Sequence, residues 1–234
     1  MKTLYSSLCI VMMTIVFSHT AHANSGGVIG RSQSGCGTCH GGSQSPNTSV
    51  NVLPLGTTSI SMTPGQTRNF QISVAHASAP TSGVNISIVN AGGSNVGTFT
   101  AGTGLRLASG ELTHSSPQPI GGTPRQTIYS FSWTAPTAAG TYTLRAAGNA
   151  VNGNSSDDAG DNWRVMNPIT INVSGLSLDA PNGGEVWCRN GTGIIKWTAA
   201  GIAQVALDYN PGDGSWNPIT VVNASLGQFT WNLP

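Results

Sequence analysis

Charge is what this chain has least of. Only 7% of its 234 residues are Asp, Glu, Lys or Arg, and nine basic against eight acidic side chains leave a net charge of +1. Globular domains carry about 25% charged residues. So weak a field excludes an electrostatic grip on nucleic acid or on anionic lipid. It does not imply disorder, because 38% of the residues are hydrophobic. Long apolar runs are missing as well. The run at residues 8–17, LCIVMMTIVF, falls well short of the ~20 residues that a bilayer span needs, and nothing later is longer. Helical periodicity is also missing: no window of a dozen residues carries a convincing stripe at the 3.6 spacing. Ser, Thr, Asn and 31 Gly supply the polar surface instead.

The N-terminus reads as a targeting segment. Lys2 gives a positive start, residues 8–17 an apolar core, and Ala-His-Ala at 21–23 small residues where a signal peptidase reads. Cleavage of residues 1–23 leaves 234 − 23 = 211 residues, enough for one large domain or two small ones. The expected location is therefore periplasmic, extracellular or on the cell surface. Cys9 follows Leu8 rather than a small residue, which makes a poor lipoprotein site. The mature chain keeps His40, His76 and His114, Met62 and Met166, and Cys36, Cys39 and Cys188. An odd cysteine count in an exported chain needs an explanation.

From residue 50 the period is two. Phe70, Ile72, Val74 and His76 fall on one face, as do Val84, Ile86 and Ile88, and Tyr129, Phe131 and Trp133. Such alternation marks strands buried on one side. Turn signals separate them, among them Pro64-Gly65, Ala91-Gly92-Gly93 and Gly121-Gly122. The fold class expected is all-β: an antiparallel β-sandwich over 50–174, preceded by a flexible Gly- and Ser-rich loop over 24–49. A second set of short strands over 175–234 reads as another sandwich, with Gly212-Asp213-Gly214 as a hairpin turn. Its 60 or so residues fall short of the ~100 of an Ig-like sandwich. It therefore reads as incomplete, with a missing C-terminal part that would hold a partner for Cys188 and a surface anchor. A buried free thiol is the plain alternative for Cys188.

The chemistry sits in Cys36-Gly37-Thr38-Cys39-His40. Two thiols two residues apart, followed at once by a histidine, form the pattern of c-type haem attachment. The thiols add across the two vinyl groups, and the histidine lies under the ring as an iron ligand. The small Gly37 and Thr38 leave room for the porphyrin edge. Three rivals compete. Zinc needs four ligands at tetrahedral angles, and adjacent Cys39 and His40 share one ion awkwardly. A thioredoxin-like dithiol should open a helix in an α/β chain. A structural disulfide leaves His40 without a role. A sixth iron ligand could come from His114, His76, Met166 or water. The segment 149–161 gathers Asp157, Asp158 and Asp161 with three asparagines. Calcium accepts such oxygens, yet the spacing matches no EF-hand, and a turn held by side-chain to backbone bonds is the simpler expectation.

GVIGRSQSGCGTCHGG at 27–42 resembles the opening of the choice-of-anchor V domain, in which a Gly-Arg lead-in precedes Cys-x-x-Cys-His. Glu111–Ser115, residues 129–153 and Asp161-Asn162-Trp163 are similar to it as well. The resemblance spans about residues 26–173. It implies an exported, reeler-like β-sandwich, and a histidine at the position of His114 that favours it as the sixth ligand. Residues 175–234 are similar to Ig-like modules of secreted bacterial proteins through PNGGEVW, IIKW and GQFTWNLP.

The expectation is a non-enzymatic, mono-haem c-type cytochrome-like protein. Cys36 and Cys39 would hold haem c, and His40 and His114 would ligate its iron. A redox protein or neighbouring cytochrome would be its partner. The alternative is a surface binding or structural sandwich with the haem absent or structural. A sensor or peroxidase would need an open sixth position.

Overall fold

The computed structural model describes residues 25–234. The signal peptide expected over 1–23 lies outside them. The first unit runs through β1 (Thr48–Val52), β2 (Ser59–Met62), β3 (Thr67–His76), β4 (Thr81–Val89), β5 (Thr98–Ala101) and β6 (Leu105–Ala108). It continues through β7 (Glu111–His114), β8 (Gln118–Pro119), β9 (Gln126–Thr134), β10 (Gly140–Val151), β11 (Asn162–Val165) and β12 (Ile169–Val173). One sheet has the order β1-β3-β9-β5. The other has the order β2-β12-β10-β4-β7-β6, with β11 on β10 and β8 on β4.

The two sheets bury one continuous core. Ile72, Val74, Tyr129, Phe131 and Trp133 of the first meet Ile86, Ile88, Leu144 and Ile171 of the second. Each set comes from alternate positions of its strand, which is how period two becomes a sandwich. The fold is all-β, and its pairings are antiparallel except that β2 runs parallel to β12.

Strand β4 departs from simple alternation, for it is buried on both faces from Ser82 to Val89. Val84, Ile86 and Ile88 face the core. Gly83, Asn85 and Ser87 face outward and lie opposite Asn149, Ala147 and Arg145 of β10. A strap formed by residues 25–40 covers this outer face. Asn85 Oδ1 accepts from the backbone N–H of Arg31 and of Ser32, both at 2.7 Å. Ser32 Oγ meets Ser87 Oγ at 2.7 Å. The Gly30 N–H donates to Glu111 Oε2 at 2.8 Å, and Arg106 donates to the carbonyls of Gly26 and Gly27. The flexible loop expected from Gly and Ser content is thus a pinned strap. Its backbone groups have specific acceptors and donors 50 to 85 residues away, which composition does not reveal.

The second unit comprises β13 (Gly175–Ala180), β14 (Thr192–Ala200), β15 (Gln204–Tyr209), β16 (Asn217–Asn223), a 3₁₀ turn (Ala224–Leu226) and β17 (Gln228–Asn232). Strands β13-β14-β17 form one sheet, and β15 and β16 form a hairpin. Its core is small, with Ile195, Trp197, Val205 and Ala224 buried. Cys188 is an exposed free thiol rather than a buried one.

Candidate functional site: a cavity under the N-terminal strap

Cys36, Cys39 and His40 occupy one tight turn. The backbone N–H groups of Cys39 and His40 both donate to the Cys36 carbonyl, at 3.2 and 3.0 Å. This single helix-like turn puts residues i, i+3 and i+4 on one side. Both cysteines are free thiols. Burial pushes the Cys36 thiol up to about 11, and nearby Arg31 offsets only part of that. A reactive thiolate needs the opposite shift, so the Cys36 environment lends the redox-motif rival no support.

Trp163 shapes this turn. It is 5% exposed and donates from Nε1 to the Gly41 carbonyl at 2.8 Å. A Cβ on Gly35 would come within 2.0 Å of the Trp163 ring, and one on Gly37 within 2.7 Å. Gly35 also has φ +76°, where side chains are strained. An indole lying against Gly37 thus gives a reason of its own for a residue without a side chain there.

His40 is fixed from the far end of the acidic segment. Its Nδ1 lies 2.8 Å from Asp161 Oδ2, and the carboxylate side chain is 0% exposed. Asp161 Oδ1 accepts from the Asn152 N–H at 2.9 Å. A carboxylate on one ring nitrogen leaves Nε2 as the free ligating atom, the usual arrangement behind a metal-bound histidine. Sequence reasoning gave Asp161 no such role; the only signal was its place beside Trp163 in a segment similar to the family pattern. The rest of the segment is the expected turn. Asn152 and Asn154 accept from the N–H groups of Asn154 and Ser156, and Asp158 from that of Gly160.

His114 fills a gap in the sheet. Strand β7 pairs with β4 through Asn85 and Ile86, and β8 pairs with it through Thr81 and Ser82. Gly83 and Val84 are left between. The imidazole takes that place: Nδ1 lies 3.1 Å from the Val84 N–H nitrogen and 3.3 Å from the Val84 carbonyl oxygen. A Cβ on Gly83 would come within 2.4 Å of the ring. His114 shares strand parity with Leu112, yet it serves as a sheet-edge plug rather than a core residue. Burial lowers its pKa, which favours the neutral, ligating form.

All four expected residues open on one cavity of about 510 Å³, lined by Cys36, Cys39, His40 and His114 over Gly83 and Asn149. That lies within the ~300–1,000 Å³ of small-molecule and cofactor sites. The donor set fits a haem: two thiols on one turn, an oriented imidazole beside them, and a second imidazole from another strand. Among the described residues, no three His, Cys, Asp or Glu side chains gather as a zinc or calcium site would require. His76 and Met166 do not line the cavity. His76 Nδ1 accepts from the N–H groups of Ser78 and Ala79, and Met166 is buried in the sandwich core.

These features define a β-sandwich protein with a strap-covered cavity on the outer face of one sheet. No known family profile matches the chain, and no curated protein does. Among solved structures, it is similar over 54% of its length to CaCohA2 from Clostridium acetobutylicum, covering 92% of that chain at 14% identity and TM-score 0.33. Over the same share it is similar to a non-cellulosomal cohesin from the archaeon Archaeoglobus fulgidus (91% of that chain, 8% identity, TM-score 0.29). A PapD-like domain of human CEP192 matches over 56% (89% of that chain, 11% identity, TM-score 0.29). Likeness at this level says nothing about ligand or partner. Among the described residues, no helix is long and apolar enough to cross a membrane.

Proposed function

We propose that the chain is a non-enzymatic β-sandwich binding protein whose cavity takes one covalently attached haem c. The supporting observation is the meeting of Cys36, Cys39, His40 and His114 on a single cavity. In this reading Cys36 and Cys39 hold the group by thioethers, and His40 and His114 are its axial ligands. Asp161 orients His40, and the Val84 backbone orients His114. A haem bound there would supply one-electron transfer, with a redox protein or neighbouring cytochrome as partner outside the cytoplasm.

The test is production in an export-competent host with haem maturation, followed by intact mass and a pyridine haemochrome. A red product with one haem per chain is expected. A colourless product with the mass of the bare polypeptide would sink the haem.

A second reading has its own support. The strap is tied down wholly by protein groups, Asn85 above all. A surface binding or structural sandwich without haem would therefore keep the same architecture, and a colourless but folded product is its expected signature.

A further inference from the structure

The cavity holds a polar group with nothing to bind. Asn149 is 6% exposed, lines the cavity, and has a solvent-sealed Oδ1 without a hydrogen-bond partner among the described residues. Register places it opposite Gly83 on β4 and opposite Trp163 on β11. Gly83 lies under the His114 ring, and Trp163 lies under the cysteine turn. Asn149 thus stands between the two halves of the site. It faces outward with Ala147, while Gly148 packs toward Val50 and Val74 of the core. An orphaned buried carboxamide destabilises the fold that holds it, and such groups concentrate at functional sites.

A cation opens on the same cavity. Arg31 lines it, donates to Thr38 Oγ1 at 3.3 Å, and forms no ion pair among the described residues.

We propose that Asn149 and Arg31 form a carboxylate subsite of this cavity. The Asn149 carboxamide donates a hydrogen bond to a carboxylate of the bound group, and the Arg31 guanidinium neutralises its charge. This rests on the haem reading above, since haem joins a flat apolar body to propionate carboxylates. The sealed atom is Oδ1, so the unspent N–H donors are the end of the carboxamide that is left for the cavity.

The test uses the full mature chain with Cys36→Ala and Cys39→Ala, so that porphyrin binding is reversible and can be titrated. Haemin is compared with haemin dimethyl ester, whose carboxylates are capped. Haemin is expected to bind at least tenfold more tightly, and Asn149→Leu or Arg31→Gln to shrink that preference several-fold. Equal affinity for the two porphyrins overturns the subsite alone, and so does a preference that survives both substitutions. Binding of neither porphyrin overturns the subsite, whereas the haem reading falls only if the cysteine-intact chain gives no haemochrome. Leucine matches asparagine in shape and removes the orphaned amide, so the ligand-free Asn149→Leu chain should melt at or above the parent Tm. A lower Tm marks Asn149 as structural and overturns its assignment.

Discussion

His40 Nδ1 and Asp161 Oδ2 stand 2.8 Å apart, across 121 positions of sequence. That contact closes the cysteine turn onto the sheet and selects which ring nitrogen of His40 remains free. A carboxylate behind an imidazole makes it a more basic ligand. If the proposed haem is bound, Asp161→Asn keeps a polar partner and removes that charge. The midpoint potential should rise, as read by spectroelectrochemistry, with the haem content unchanged. An unshifted potential would show that Asp161 does not act through His40.

Gly83 tests the plug in the sheet. A methyl group there meets the His114 ring at 2.4 Å. Gly83→Ala should cost about 1–3 kcal/mol through overpacking, measured by urea denaturation. It should also alter the visible bands of the loaded protein by displacing His114. Unchanged bands would remove His114 from the proposed ligand set.

Asn85 tests the strap. Its two side-chain atoms serve Arg31, Ser32, Glu111 and Leu112 together. Asn85→Ala should cost about 2–3 kcal/mol, since buried N–H groups lose their acceptor. Hydrogen exchange at residues 31 and 32 should accelerate more than exchange in β9.

Trp163 tests the support beneath the cysteines. Trp163→Ala should destabilise the chain by about 3–5 kcal/mol and lower haem content, because Gly35, Gly37 and Gly41 lose the ring they rest on.

Cys36 carries the pH prediction. Burial raises its thiol from 9.0 to about 11. Between those values the folded chain holds a proton that the unfolded chain has released. The thiol's contribution to the stability of the haem-free chain is therefore complete below pH 9 and is lost as pH rises toward about 11. Alkylation of Cys36 in a Cys39→Ser chain should show a midpoint near 11. A midpoint near 9 would mean that the thiol is open to solvent.

Much of the sandwich was legible because period two is a local signal. Phe70, Ile72 and Val74, and Tyr129, Phe131 and Trp133, are buried where alternation puts them. Cys36, Cys39 and His40 were legible because their chemistry lies in five consecutive residues. His114 was expected as a ligand only from a resemblance to a family pattern, while its strand parity with Leu112 pointed to the core. The side chain instead replaces a missing stretch of strand beside Val84, and only the break between β7 and β8 makes that visible. Asp161 and Asn149 stood out only as members of the acidic, asparagine-rich segment 149–161, which says nothing of their partners. Their partners come from strands far apart in sequence, so their roles exist only after the sheet is assembled.

The separation of 121 residues between His40 and Asp161 also has a meaning in time. Ribosomes add ~5–20 residues per second, so the two thiols precede the carboxylate that closes their turn by roughly 6–24 s. During that interval neither Trp163 nor Asp161 exists to cover them. The nascent chain thus offers its cysteine pair to chemistry well before the finished sheet encloses it.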